Sequence, residues 1–259
     1  MLMIELFFAE LKRTWILQRR YPIEVVGIII VTVSIFYGLF LSARYVAGAS
    51  FQLGDRLDSI VIGYVLWSLV LFVMGNVANR IQYEAQTGTL EQLFLSQFGA
   101  VKVFLIRSLA AITLQLAFVL SILLTIMLLT GSRLDFPPVL ILPLITVLMG
   151  ANGIAFIIGA LALLFKQVSQ LQVIFQFGLL FLLATPIEAS TGLTRVLANL
   201  LPITPSAGIL RALMARGENL NLTHIAIAFI NGVVYLALGI GLFRLAERQA
   251  KKRGILGGY

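Results

Sequence analysis

Side chains that could carry out chemistry are scarce in this sequence. It has no Cys and a single His, His224, which excludes thiol nucleophiles, disulfides, iron–sulfur clusters and the usual zinc sites. No His-Glu-x-x-His motif and no Gly-x-x-x-x-Gly-Lys-Ser/Thr phosphate loop occurs. An intramembrane hydrolase would have to use His224, whose place at the edge of an apolar segment favours an interfacial side chain instead. We therefore expect no enzyme activity, and no cofactor or metal on this chain.

One polar segment, between residues 79 and 107, carries a distinctive pattern. Gly88 is a natural helix break, and Thr89 is a suitable N-cap for a short helix in which Glu91 favours the helix dipole. Three apolar residues fall on one side of that helix: Leu90, Leu93 and Phe94. Such an amphipathic helix is either an interfacial anchor or a docking element for another protein, and the residue pattern alone does not decide between them.

The composition places these residues in a membrane protein. Hydrophobic residues make up 60% of the 259 and charged residues only 12%, against about 25% charge in soluble domains. Six apolar stretches approach the roughly 20 residues that a spanning helix needs. We expect one all-α integral membrane domain over residues 1–259, because lipid cannot satisfy an open backbone. The expected spans are residues 23–43, 60–78, 108–130, 137–165, 171–187 and 225–245.

Two amphipathic or irregular segments flank the spans. Residues 4–21 carry apolar side chains at helical spacing together with four basic residues and are expected to form an interfacial helix. The fifth span ends at Pro186, and the apolar stretch 193–201 before Pro202 is too short to cross. We expect a re-entrant or interfacial segment there, on the outer side, with Arg211 extending to the lipid headgroups.

The distribution of basic residues predicts the orientation. The net charge is +8, but the basic residues adjoin apolar runs, which favours membrane orientation over nucleic-acid binding. Thirteen of the 19 Lys and Arg residues lie in one alternate set of loops, the set that contains both termini. The positive-inside rule places that set in the cytoplasm. We expect a multi-pass protein of a bacterial inner membrane.

Polar residues inside the spans have two interpretations. Asn152 and Gln176 could form interhelical hydrogen bonds, worth about 1 kcal/mol each, or they could line a transport path. Small residues recur at helical spacing in the fourth span, around Gly150, Gly153 and Gly159, and in the last span, where Gly232, Gly239 and Gly241 occur. Such residues allow helix backbones to approach closely.

The segment after the second span resembles the corresponding loop of type-2 permeases of ABC transporters. That family shows a Glu, a few residues, then Gly-Thr-Leu-Glu-x-Leu, a small residue and a Pro. This sequence departs from the pattern at Gln97, where the family has Pro. A second likeness is the series Pro186, Leu201-Pro202 and Arg211 after the fifth span. The residues that match in the first segment are Glu84, Gly88, Thr89, Leu90, Glu91, Leu93 and Ser96.

The resemblance implies a transport subunit with partners. Such permeases form homodimers or heterodimers around a translocation path, and each chain binds a separate cytosolic ATPase that carries ATP and Mg. The short helix that includes Leu90, Leu93 and Phe94 would be the coupling helix seated on that ATPase. Most of the family exports. Membrane lipid is a further expected partner, and nucleic acid is not.

Other functions remain open on the sequence. An ion-coupled secondary transporter usually carries ionisable groups within its spans, whereas the acidic residues here cluster outside them. A non-transporting membrane scaffold subunit would need no such groups at all. The cargo, and the choice between homodimer and heterodimer, are not readable from the residues.

Overall fold

In the computed structural model, the residues described are 2–47, 54–96, 98–131, 134–165, 168–185, 187 and 192–253, and they contain helices but no strand. Eleven helices follow one another within these ranges. They are α1 Leu2–Arg20, α2 Pro22–Ala47, α3 Gly54–Gln86, α4 Leu90–Phe94, α5 Ala100–Thr130, a 3₁₀ turn Pro138–Leu140, α6 Ile141–Phe165, α7 Ser169–Ala184, α8 Leu193–Leu200, α9 Thr204–Ala215 and α10 Leu222–Arg253.

The chain is an α-helical, multi-pass membrane protein. Five helices of the described residues, α2, α3, α5, α6 and α10, are long and apolar enough to cross a membrane. The expected fifth span is represented by α7, which has only 16 residues. That length corresponds to about 24 Å, against a hydrocarbon core of about 30 Å. The prediction of six full-length spans is therefore met for five.

Two of the predicted spans are shorter than the helices that contain them. The second span was placed at 60–78, but α3 continues to Gln86, and the third was placed at 108–130, but α5 already begins at Ala100. Both extensions carry charged residues, which a hydropathy criterion excludes. They remain helical because Glu, Lys and Arg are good helix formers. The fourth span begins as a helix at Ile141, after an extended segment and the 3₁₀ turn at Pro138.

Different short helices lie at the two ends of the bundle. At the first, α1 meets the start of α5, and Lys251 of α10 lies 5.3 Å from the ring centroid of Phe94 in α4. At the second, the segment before α6 meets the end of α9, where the Asp135 amide donates to the Met214 carbonyl at 2.9 Å. We call these the α4 end and the α9 end.

Helices α6 and α10 form the most extensive helix–helix contact among the described residues, and glycine allows their backbones to approach closely. A Cβ at Gly153 would overlap the backbone of Tyr235, and one at Gly239 would overlap the backbone of Gly153. The small-residue prediction is confirmed at these positions. At Gly241 an added Cβ would meet no atom within 4 Å, so this glycine is outside the contact. The sequence alone does not tell which of Gly239 and Gly241 lies in the contact, because it does not show which face of α10 packs against α6.

Candidate functional site

The short helix after α3 is built by a reversal of the chain at Gly88. Gly88 has a φ of +70°, a conformation that costs little only for glycine. Thr89 occupies the N-cap position of α4 but makes no capping bond. Its hydroxyl instead donates to a carboxylate oxygen of Glu84, five residues earlier. Glu84 and Thr89 of the sequence pattern are therefore in direct contact, and they close the turn that carries α4.

An ion-pair cluster connects this turn to α1 and α5. Arg107 of α5 donates through Nη1 to Glu84 and through Nε to Glu10 of α1, each at 2.8 Å. Arg13 and Arg80 lie 3.6 and 3.9 Å from the other oxygen of Glu10. Because charge-assisted bonds to a guanidinium are stronger than neutral ones, Arg107 ties three helices and the α4 turn together. Glu10 and Arg107 were not among the predicted site residues.

The apolar side of α4 faces the protein's own interior. Leu90 is 1% exposed, and Leu93 and Phe94 are also buried in the main core. Burying such side chains stabilises the fold by about 1.5–3 kcal/mol each. These three residues therefore hold α4 against the bundle, and they are not open to another protein.

The opposite side of α4 is exposed. Glu91 and Gln92 are exposed, and Leu95, the residue after the helix, is 84% exposed. Among the residues predicted to couple, only Gly88 and Glu91 are open to a partner, and Thr89 is half-buried. Gln97, where the sequence departs from the permease pattern, lies outside the described residues.

A polar cleft begins next to this turn and runs between α2, α3 and α7. Its volume is 780 Å³, within the range of sites that hold small molecules. Arg80 and Glu84 border it at the α4 end, and Trp67 borders it about 20 Å further along α3, at 1.5 Å per residue. Five side-chain amides line it: Asn76, Asn79, Gln115, Gln172 and Gln176.

The two polar residues predicted within spans have different surroundings. Asn152 is buried between α5 and α6, where its Oδ1 accepts a 2.7 Å hydrogen bond from Ser108 and its Nδ2 donates to the Leu148 carbonyl. This is the interhelical bond of the first interpretation. Gln176 borders the polar cleft, and its main-chain carbonyl accepts a 2.8 Å bond from the Trp67 indole. Only Gln176 is placed where a path could run.

The expectation that Arg211 extends to lipid headgroups is wrong. Its side chain is 1% exposed, within α9, and it donates to the main-chain carbonyls of Ser59 and Leu183. Gly63 provides the space, since a Cβ there would overlap the Leu183 carbonyl and come within 3.0 Å of the guanidinium. Arg211 is drawn into the protein because the last carbonyls of α7 have no donor within their own helix and need one once they are buried.

The segment after α7 contains two helices, α8 and α9, joined by a turn. Pro202 lies in the turn between α8 and α9, and the next residue, Ile203, has a φ of +65°. Asn231 of α10 stabilises this turn: its Nδ2 donates to the Asn199 and Leu201 carbonyls at 2.9 and 3.1 Å. No sequence motif marks Asn231, although an Asn inside an apolar span is a general signal of such a contact. Pro186 lies outside the described residues.

Within the described part of the chain, no group of three or more His, Asp and Glu side chains is placed to hold a metal ion. A scan against protein-family models finds no family that matches the chain, and a search of curated proteins finds no match either. The functional interpretation therefore depends on the residues and their geometry.

Proposed function

We propose that this chain is the transmembrane permease subunit of an ATP-driven exporter, similar to type-2 ABC permeases. It would form half of a translocation path together with a second permease chain, identical or closely related. A separate cytosolic ATPase subunit would bind and hydrolyse ATP with Mg. The α4 end and both termini would face the cytoplasm of a bacterial inner membrane.

The observation that carries this proposal is the continuity of α3. The last turns of this helix, at Glu84 and Arg80, hold the α4 turn through Thr89 and the Arg107 cluster. The preceding turns of the same helix, at Asn76 and Trp67, form a wall of the polar cleft. A rigid helix with a partner-accessible element at one end and a polar cavity along its length supports a coupling of partner motion to a transport path.

The fifth span of such a permease, which completes the set of six, would be α7. It runs antiparallel to α3, with Gln172 near Gly75 and Leu183 against Gly63, so its two ends approach the two ends of the bundle. Its shortness is compatible with spanning because the Leu183 carbonyl finds a donor in Arg211 inside the protein. Because this helix end is satisfied inside the protein, α7 does not need to extend across the full hydrocarbon thickness of about 30 Å.

The docking surface for the ATPase would be the exposed side of α4, formed by Glu91, Gln92 and Leu95. Leu90 and Leu93 contribute by keeping α4 in place, because both are buried. An acidic side chain at Leu90 would therefore unfold the α4 region as well as weaken partner binding. A test of coupling needs substitutions on the exposed side.

The test is a pull-down of the tagged full chain from gently solubilised native membranes, with mass spectrometry of the partners. We expect a small ATPase with a phosphate loop, lost when Glu91→Lys and Leu95→Asp are combined. The matched control is Leu197→Asp, an exposed apolar residue of α8 at the other end, which should leave recovery unchanged. Recovery of the chain alone, or only with other membrane subunits, would favour a secondary transporter or a scaffold.

A further inference from the structure

The polar cleft has an imbalance of charge at its α4 end. Three guanidinium groups, those of Arg13, Arg80 and Arg107, cluster with the two carboxylates of Glu10 and Glu84. The cluster therefore carries one excess positive charge. Arg107 lies outside the cleft, whereas Arg13 and Arg80 line it, so the excess charge is on the cleft side.

The hydrogen bonds around the cluster leave the terminal guanidinium nitrogens of the two cleft arginines without a hydrogen-bond partner among the described residues. Arg107 takes one oxygen of each carboxylate at 2.8 Å, and Thr89 takes the second oxygen of Glu84. Arg13 and Arg80 approach the remaining Glu10 oxygen only at 3.6 and 3.9 Å, beyond hydrogen-bonding distance. The Nε of Arg80 donates to Asn76 Oδ1 at 2.8 Å. The Nη donors of Arg13 and Arg80 therefore remain for an oxyanion, which a planar guanidinium binds with two parallel hydrogen bonds.

The rest of the cleft has amphiphilic walls. The side-chain amides of Gln115, Gln172 and Gln176 have no hydrogen-bond partner among the described residues, although polar groups at membrane depth are costly without one. Beside them lie the apolar side chains of Ile28 and Phe72. Such a surface suits a molecule with an anionic group at one end and a mixed polar and apolar body.

The cleft is bordered on one side by α2, which is the least buried of the apolar long helices. Two of its lining residues, Ile28 and Ile35, are about half exposed on the helix surface. A second, smaller cavity of 400 Å³ adjoins it beneath α2 and shares Ile28, Phe72 and Gln115. The cleft therefore borders lipid along its length, and a membrane-borne molecule could reach it without crossing water.

We propose that the polar cleft binds a membrane-borne amphiphilic anion, with its phosphate or carboxylate on Arg13 and Arg80 and its body along α3 toward Trp67. This proposal deepens the proposed export function by naming the class of cargo, and it rests on that function only for what happens after binding. Binding itself is a property of this chain alone.

Trp67 provides a built-in reporter for the test. The chain has two Trp residues, and Trp15 is exposed on α1, so the full chain with Trp15→Phe reports from the cleft only. It is reconstituted in phosphatidylcholine nanodiscs that contain a small fraction of phosphatidic acid. Bromine, which quenches indole fluorescence, is placed on the acyl chains of either the anionic or the zwitterionic lipid.

We expect brominated phosphatidic acid to quench Trp67 more strongly than brominated phosphatidylcholine at equal mole fraction. Arg13→Gln and Arg80→Gln should each lower this preference about fivefold. The control Lys12→Gln removes an exposed charge that adjoins Arg13 in sequence but does not line the cleft. It should change the preference by less than about twofold. Arg13 is itself half-exposed, so its substitution does not threaten the fold.

Three results would overturn the proposal. They are equal quenching by both lipids, a loss in Lys12→Gln as large as in Arg13→Gln, or abolition of the preference by millimolar inorganic phosphate. The second would indicate general attraction of anionic lipid to the surface, and the third would indicate a site for a free anion. None of these results bears on recovery of the ATPase, which depends on α4, so the failure of this proposal is distinguishable from the failure of the export proposal.

Discussion

The two ends of the bundle hold their short helices by different means. At the α4 end, side chains bond to side chains: Arg107 joins Glu10 and Glu84, and Lys251 lies over Phe94. At the α9 end, buried side chains bond to main-chain carbonyls: Arg211 to Ser59 and Leu183, and Asn231 to the end of α8. Side chains that bond to one another can exchange partners and leave the backbone intact, whereas bonds that satisfy a buried backbone cannot be given up cheaply.

The difference favours the α4 end as the one that responds to the proposed partner. The α4 turn sits on long side chains whose contacts can lengthen or exchange without an unsatisfied backbone group. The α8–α9 turn is fixed by bonds that the helix ends require inside a membrane. We therefore expect the α4 end to change shape during the proposed transport cycle and the α9 end to keep its structure.

The largest expected effect is at the α9 end. Arg211→Met should lower the free energy of unfolding by roughly 2–5 kcal/mol, because two buried carbonyls lose their charged donor. Thermal unfolding of the purified chain in detergent measures this. Arg216→Met is the control: Arg216 forms only an exposed pair with Glu218 at 2.5 Å, and its loss should cost at most about 1 kcal/mol. Equal effects of the two substitutions would contradict the structural role of Arg211.

The next effect concerns the turn between α8 and α9. Asn231→Leu removes the donor to the Asn199 and Leu201 carbonyls and should destabilise the turn by about 1–3 kcal/mol. Hydrogen exchange should rise in residues 197–205 and stay unchanged in α4. Asn219→Leu, at an exposed position before α10, serves as the control. Increased exchange throughout the bundle would mean that Asn231 supports the whole fold and not this turn.

At the α4 end, Arg107→Gln should weaken the attachment of α1 and α4 by about 1–2 kcal/mol. A double-mutant cycle with Glu84→Gln separates their coupling from other losses. We also expect salt to weaken this end slightly and the Arg211 contacts not at all, because the side chain of Arg107 is 16% exposed and Arg211 is 1% exposed. A coupling energy near zero would show that the ion pair between Arg107 and Glu84 does not hold α4 in place.

The smallest effect is expected at the contact between Lys251 and Phe94. The ammonium lies 5.3 Å from the ring centroid but is partly exposed and also bonds to Glu247 at 2.7 Å. Lys251→Gln should therefore cost no more than about 0.5–1 kcal/mol, and Lys252→Gln, at an exposed neighbour, should cost less. Thermal unfolding in detergent compares the two. A larger loss at Lys251 would show that the end of α10 is a principal support of α4.

Much of the helical framework follows from the sequence, because runs of apolar residues indicate where helices can cross lipid, and Gly or Pro residues indicate where they end. Gly88 marked a real reversal, and Gly153 and Gly239 marked a real close approach. The helix ends at Gln86 and Ala100 were missed, because a hydropathy criterion stops where charged residues begin, although Glu, Lys and Arg are good helix formers. Glu10 and Arg107 are 97 positions apart, and no local pattern joins them.

The candidate site at α4 was also predicted only in part, because its contacts come from distant segments. The amphipathic pattern of Leu90, Leu93 and Phe94 identified a short helix, but amphipathicity alone does not tell whether the apolar side meets a partner or the chain's own core. The burial of Leu90 supplies that distinction. Arg211 was misplaced because sequence reasoning assigns an isolated charge to solvent, whereas the ends of buried helices can require one.

The central claim is that the exposed side of α4 binds an ATPase, and crosslinking tests it most directly. Because the chain has no Cys, Gln92→Cys can carry a single benzophenone maleimide on the full chain in native membrane vesicles. The account predicts a light-dependent product that contains a phosphate-loop ATPase from Gln92→Cys, and none from Leu197→Cys at the α9 end. An ATPase crosslinked from Leu197→Cys, or no protein product from Gln92→Cys in vesicles where the chain is intact, would contradict it.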